Sequence, residues 1–575
     1  MRLKKNKLVN FFLPKYIATR VYHNANAIKS VIVNEVEKEF IELENDSALL
    51  WESILKHEDK FDSTIISNDI NKPENEVKLF LDELLNIKLI SEIDNKSSIN
   101  QDSNTFKKNI ASGLRYSNGG YVEPAPGGSN LEAELELMDW ASDNGYLYSA
   151  GWELTYRCNE RCVHCFNPGA SHVEGDKSFR KVEELDTQKI IQTLSDMKQL
   201  GVFRLLLTGG EIFLRKDLFE ILEHVRKERF SFTIFTNGTL IKENQIKKLK
   251  DYYPHRVELS IYSHIPEKHD KITRLKNSFA QTMNTVSLLM KNGIEILLKM
   301  IVMKDTVDDV KGFEDMCKKM DIFCTVDYNM SAGVDGNSYP IENLLPEPKN
   351  LILQSLNSTS PLYVGTIDKP NNYDSKKSFG TYVCGAGRTT MNISAEGNIS
   401  PCNSLPLEYG NLKKNKLSEV WINSDIGKKI SEKQRVYSKE RSDNADPSER
   451  LSSWQAVKRG MYEVCGTFDR CNWCQKCPGM AYLETGSELK PSTTNCRNSA
   501  ARMIAYEMLK KFKNADEVRK NIDLEQLKKK YKNELALWEP LKNIELNKDT
   551  NHQNIILNRT KPSALKQLLE KEGLL

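Results

Sequence analysis

Residues 158–165 read CNERCVHC, three cysteines spaced CxxxCxxC. Thiolates bind soft metal centres, and a spacing this tight puts all three on one short stretch of chain. A structural tetrahedral site takes four protein ligands, whereas a site meant to bind something else keeps a position open. Two occupants fit three thiols. One is a zinc ion completed by His164 or His172. The other is a cubane iron–sulfur cluster in which three irons take thiolates and the fourth iron stays open for a substrate.

The chain has 12 cysteines, and ten fall in two groups. Cys158, Cys162 and Cys165 form the first. Cys384, Cys402, Cys465, Cys471, Cys474, Cys477 and Cys496 form the second, and Cys317 and Cys324 stand apart. The N-terminal stretch MRLKKNKLVNFFLPKY is basic, but its apolar run is too short for a signal peptide. No stretch reaches the 18 apolar residues of a membrane span. The expected location is therefore cytoplasmic, where thiols stay reduced and clustered cysteines point to metal rather than to disulfides. With 39% hydrophobic and 28% charged residues among 575, the composition is that of a globular chain with material for a large core. A formal charge of +3 demands no polyanionic partner, so nucleic-acid binding is not expected.

The elements that must hold the first group are strands and helices in alternation from about residue 145. YSAGWELTYR, FRLLLTG, SFTIFTNG, RVELSIYS, EILLKMIVM and FCTVDYNM read as strands. Between them, DTQKIIQTLSDMKQLG, KDLFEILEHVRKE, NQIKKLKDYY, SFAQTMNTVSLLMKNG and DVKGFEDMCKKM have helical periodicity. Repeated strand–helix units with right-handed crossovers predict a parallel sheet curled into a partial (βα)6, TIM-like barrel. CNERCVHC follows the first strand, at the end of the barrel where strands deliver functional side chains.

CxxxCxxC in this position resembles the signature of the radical S-adenosylmethionine (SAM) superfamily, and LLLTGGEIF after the second strand resembles that family's GGE motif. The resemblance implies that Cys158, Cys162 and Cys165 ligate a [4Fe–4S] cluster. Its open iron would take SAM, and Thr208, Gly209, Gly210 and Glu211 would receive the methionine amino group. Ser260 matches a ribose-binding position, and Lys299, which breaks the apolar run LLKMIVM, is a candidate contact to the SAM carboxylate or ribose. In strand four, Glu258, Ser260 and Tyr262 are expected to face the lumen. Such an enzyme cleaves SAM to a 5′-deoxyadenosyl radical that abstracts hydrogen from an unactivated carbon, taking its electron from a donor such as flavodoxin or ferredoxin.

The second group resembles the SPASM extension of radical SAM peptide maturases, with GNISPC supplying its GxxxxC element. A zinc-ribbon reading would want two CxxC pairs, into which seven cysteines do not divide. The resemblance implies two auxiliary [4Fe–4S] clusters, three in all. Cys384, Cys402 and Cys477 would hold one, and Cys465, Cys471, Cys474 and Cys496 the other. The four close cysteines depart from the commoner form: they are spaced x5, x2, x2 rather than x2, x5, x3, which leaves the ligand order open.

Residues 1–105 read as strands followed by helices, and in this company they resemble the winged-helix domain that binds a precursor peptide's leader. The expected division is thus 1–105 winged helix, 106–144 linker, 145–340 radical SAM barrel, 341–383 connector, 384–500 SPASM domain and 501–575 helical extension. The expected activity is modification of a ribosomally made peptide through a thioether or other cross-link. Peptide epimerisation and sulfatase-type protein maturation are the enzymatic alternatives, and an iron–sulfur or zinc scaffold that binds peptide is the non-enzymatic one.

Overall fold

The computed structural model describes residues 11–24, 27–93, 134, 136–138, 140–141, 144–167, 182–357, 385–423, 470, 473–474, 477–488, 491–512 and 514–532. Cys384, Cys465, Cys471 and His172, and most of the 106–144 linker, lie outside them. Six parallel strands form the centre: β6 (Ser149–Thr155), β7 (Arg204–Gly209), β8 (Ser231–Thr236), β9 (Arg256–Ser260), β10 (Ile296–Ile301) and β11 (Phe323–Asp327). They lie side by side in chain order, as the partial barrel requires. Helices α4 (Thr187–Gln199), α5 (Leu218–Lys227), α6 (Glu243–Lys250), α7 (Pro266–Thr273), α8 (Ser278–Lys291) and α9 (Val310–Met320) return the chain between them.

The strand pleat sorts the side chains. Trp152 and Leu154, Leu205 and Leu207, Phe232 and Ile234, Val257 and Leu259, Leu298 and Met300, and Cys324 and Val326 all join one buried cluster with the helices. Each contributes about 1.5–3 kcal/mol of burial. The opposite face carries Glu153, Thr208, Phe235, Glu258, Ser260, Lys299 and Asp327, so the expected polar lumen is present.

Two features exceed what periodicity indicated. The sheet has nine strands, because β12 (Thr390–Ile393) adds in parallel to β6, and β13 (Asn398–Ser400) and β14 (Gly410–Asn411) follow antiparallel. The cysteine-rich region thus continues the barrel sheet. After α10 (Tyr339–Asn343) and α11 (Pro348–Gln354), the chain reaches α12 (Leu417–Asn423), α13 (Pro478–Thr485) and α14 (Thr493–Leu509). α14 is buried along most of its length and runs through position 500, where a domain boundary was expected. Thr494 Oγ1 donates to Met330 O at 2.8 Å, and Asn498 Nδ2 to Asn329 Oδ1 at 3.1 Å, fixing α14 to the segment beyond β11. Two short helices, α15 (Ala515–Asn521) and α16 (Leu524–Lys530), complete the described chain.

The N-terminal unit has a meander of β2 (Ile17–His23), β3 (Ile28–Asn34) and β4 (Glu39–Glu44), then α1 (Asn45–Lys56), α2 (Ser63–Ile70) and α3 (Glu74–Asn86). β1 (Phe11–Phe12) pairs with β5 (Ser91–Glu92). The unit sits under the barrel, at the N-terminal ends of the strands. Buried Glu35, in the β3–β4 turn, lies 2.9 Å from His255 Nδ1 and accepts from Ser231 Oγ at 2.5 Å. Lys38 Nζ donates to His255 O at 2.5 Å, and Arg204 binds Ser231 and, through two nitrogens, Glu134. Thr19 N donates to Arg229 O, Ile17 O accepts from Arg226, and Tyr146 Oη bridges His23 N and O. The outer edge of β2 is occupied at these positions, while β4 is the other edge of the three-stranded sheet.

Candidate active site at the barrel rim

The Cys158 loop leaves β6 at the C-terminal rim. Arg161 N donates to Thr273 O at 2.9 Å and Val163 N to Ile272 O at 3.0 Å, pinning the loop to the end of α7. Cys162 packs with Tyr262, Ile272, Met303 and Met330. Cys162 Sγ donates to Glu160 Oε2 at 3.2 Å, and Asn237 Nδ2 reaches Cys158 Sγ at 3.8 Å and Asn159 Oδ1 at 2.9 Å.

Burial pushes the Cys158 thiol up to about 12 and the Cys165 thiol up to about 11, and it holds Cys162 well above the ordinary thiol range. Nearby Glu160 and the sister thiols add to the shift at Cys158 and Cys162. The Glu160 carboxyl is itself raised to about 8 by burial. Three thiols that resist ionisation alone suit a cationic centre that would deprotonate them on binding. Among the described residues, no three His, Cys, Asp or Glu side chains are close enough together to hold a single ion. A cluster asks less, since each iron takes one thiolate. The donor set fits an iron–sulfur cluster. His164, offered as a zinc ligand, packs edge-on to Tyr262 at 4.3 Å between ring centres.

The TGGE segment is built around the same loop. Gly210 N donates to Thr155 O at 2.7 Å and Glu211 N to Arg157 O at 2.8 Å. A Cβ on Gly209 would stand 2.2 Å from Thr155 O, and one on Gly210 2.3 Å from Arg157 O. Gly209 also has φ +143°, so both glycines are required by the approach of β7 to the chain entering the cysteine loop. Glu211 is fully buried. Its carboxylate accepts from Thr236 Oγ1 at 2.8 Å, Asn237 N at 2.8 Å and Phe213 N at 3.0 Å. The side chain expected to meet an ammonium instead ties β7 to β8, and the half-buried backbone of Thr208–Gly210 is what the segment presents.

Inside the lumen, Arg256 Nε donates to Glu258 Oε1 at 2.8 Å, and Lys299 Nζ stands 3.3 Å from Glu258 Oε2 and 3.8 Å from the centre of the Phe235 ring. Lys299 is level with Ser260 on the neighbouring strand. Both are half-buried, so the lysine is neither a surface group nor sealed in the core. Asn237 was not singled out as a site residue. The signal for Asn237 was present in FTNGT at the end of β8, the position where a parallel strand delivers functional groups.

These features agree with family comparison. Residues 152–317 match the radical SAM superfamily model and residues 384–446 match the SPASM model, an iron–sulfur cluster-binding domain. Residues 152–317 thus carry a radical SAM domain and residues 384–446 a SPASM domain. The radical SAM match starts inside β6 and carries the cysteine loop, TGGE, Ser260 and Lys299. An AdoMet-dependent heme synthase of Methanosarcina barkeri is 23% identical over 360 residues, 59% of this chain and 93% of the relative. The antilisterial bacteriocin subtilosin biosynthesis protein AlbA of Bacillus subtilis is 28% identical over 45% of this chain and 56% of its own length. The PqqA peptide cyclase of Methylorubrum extorquens is 26% identical over 47% of this chain and 71% of its own.

Of the second group, Cys402, Cys474, Cys477 and Cys496 are described. Because β12 runs parallel to β6 and β13 returns antiparallel, Cys402 emerges level with the start of β6, two strands across the sheet. That is a strand's length from the Cys158 loop, about 20 Å at roughly 3.3 Å per residue. The 402–405 turn meets α13 where a Cβ on Gly479 would stand 2.6 Å from Ser404 O, two residues past Cys477. Gly387 N reaches Pro401 O, drawing the segment after Cys384 to the same place. Arg502 on α14 donates to Trp473 O at 2.8 Å, beside Cys474, and Cys496 lies in the first turn of the same helix. Cys317 and Cys324 pack together in the helix–strand layer outside the lumen. No helix among the described residues is long and apolar enough to cross a membrane.

Proposed function

We propose that this radical SAM protein modifies a ribosomally made precursor peptide, joining an unactivated carbon to a second group through a thioether or another cross-link. The observation that carries the reading is the continuous sheet. β12 extends the barrel from β6 and β13 follows it, so the strand leading to Cys402 belongs to the same sheet as the strand leading to the Cys158 loop. Two relatives whose names specify bacteriocin biosynthesis and peptide cyclisation point to a peptide, although the heme synthase shows that the same parts serve other chemistry.

Cys158, Cys162 and Cys165 would hold the SAM-binding [4Fe–4S] cluster, with Ser260, Lys299 and the Thr208–Glu211 segment around SAM. Bound there, the cluster and SAM supply a hydrogen-abstracting radical, and the protein's share is to position the substrate and exclude water. Cys384, Cys402 and Cys477, and Cys465, Cys471, Cys474 and Cys496, would hold two auxiliary clusters. The meeting of the 402–405 turn with the start of α13 supports the first set. The N-terminal unit would act as the winged-helix reader of the leader. A leader strand would add to β4, the sheet edge opposite β2.

Epimerisation needs a thiol facing the substrate, and the outward packing of Cys317 and Cys324 argues against either one. The test is anaerobic incubation with SAM, dithionite and the short peptide encoded beside the gene. Release of 5′-deoxyadenosine with loss of two hydrogens from the peptide supports cross-linking. An unchanged mass with one deuterium gained from D₂O replaces it with epimerisation. Zinc in place of about twelve irons per chain, with no SAM cleavage, leaves only the scaffold.

A further inference from the structure

We infer that the outer face of the Cys158 loop is the docking surface of an acidic one-electron carrier protein, received by the basic turn Lys271–Lys276. The inference rests on the proposed cluster at Cys158, Cys162 and Cys165. An electron reaching that cluster must come from outside the barrel, because the lumen side belongs to SAM and substrate.

The outer face is built from the loop and the end of α7, joined by the Arg161–Thr273 and Val163–Ile272 backbone bonds. The helix stops at Arg274, which adopts the left-handed conformation at φ +55°. Within KITRLKN, Lys271 and Lys276 are exposed and Arg274 half-buried, with Arg161 beside them on the loop. The carboxylate of this turn is tied to its own chain: half-buried Asp270 accepts from Asn277 N at 2.6 Å, Phe279 N at 2.9 Å and Ser278 Oγ at 2.9 Å. That clamp gives the cations a fixed platform. Among the described residues, exposed Glu267 lies one turn earlier on α7. A positive patch over a redox centre raises the encounter rate with an acidic partner and makes it salt-dependent. In the transfer itself the carrier loses one electron and the cluster gains it, with no bond made or broken.

The test uses the reconstituted holoenzyme and a recombinant flavodoxin. The variant Lys271→Gln/Arg274→Gln/Lys276→Gln is compared with Lys247→Gln/Lys248→Gln/Lys250→Gln on α6, which loses as much charge away from the loop. Flavodoxin affinity by interferometry at low salt is expected to fall at least tenfold in the first variant and less than twofold in the second. Flavodoxin-driven SAM cleavage should fall with it, while dithionite-driven cleavage stays within twofold of the unaltered enzyme. Unchanged affinity, an equal loss in both variants, or a matching loss with dithionite overturns the docking assignment. If the unaltered enzyme fails to cleave SAM even with dithionite, the cluster reading itself fails and the docking surface falls with it.

Discussion

The two ends of the barrel treat polar groups in opposite ways. At the N-terminal floor, Glu35, His255, Ser231, Arg204, Glu134 and Lys38 meet one another at hydrogen-bonding distance, and the same residues bind the N-terminal unit to the barrel. At the C-terminal rim, three half-buried thiols share one short loop, and burial and the nearby Glu160 raise their pKa values. A floor whose polar groups answer one another is made to hold shape. A rim whose thiols resist ionisation on their own suits the metal centre proposed there. The distinction matters because both regions are rich in titratable groups, and composition alone would not tell them apart.

Changing one residue at each end separates the roles. Cys158→Ala should reduce 5′-deoxyadenosine formation to background and lower bound iron by about a third, the share of one cluster in three, with the thermal transition of the N-terminal unit unmoved. Retained SAM cleavage would falsify the rim assignment. Glu35→Ala should do the reverse. Removing one member of a buried charged pair costs about 3–5 kcal/mol, read as an earlier denaturant transition and protease access to residues 11–93. SAM cleavage per folded molecule should survive.

The floor also has a pH signature. His255, Lys38 and Arg204 overcome the burial of the Glu35 carboxyl and hold it well below the usual carboxylate range. A depressed acid contributes stability that is complete above its unfolded pKa, about 4.3, and is lost as pH falls toward its folded value. The N-terminal unit should therefore loosen below about pH 4, monitored by limited proteolysis, and Glu35→Gln should flatten that dependence. An unaltered pH profile in Glu35→Gln would move the acid sensitivity elsewhere.

Much of the rim was legible in the sequence, because its elements are local. CNERCVHC and TGGE each sit within a few residues of a strand end, and alternation placed the strands. What the sequence did not reveal is what the side chains spend themselves on. Glu211 looks like a ligand-facing carboxylate, yet its partners Thr236 and Asn237 come from the next strand, 25 and 26 residues on. β12 was hidden for the same reason. Four residues within a cysteine-rich stretch become a strand only because β6 offers them an edge. The floor was invisible, since Glu35 and His255 are separated by 220 residues and neither belongs to a motif.

Lys299 tests the comparison most finely, because it sits in the lumen between the two ends. Its ion pair with Glu258 is replaceable: Arg256 already holds that carboxylate at 2.8 Å, so Lys299→Met leaves no orphaned buried charge. The stability change should stay below about 1 kcal/mol. If the ammonium also reaches a carboxylate or ribose of SAM, a charged hydrogen bond of about 1.5–3 kcal/mol disappears. The KM for SAM would then rise about 10- to 100-fold with kcat nearly unchanged, the pattern of lost uniform binding. A clear loss of stability with an unchanged KM would place Lys299 with the floor, as a residue that holds the barrel rather than the cofactor.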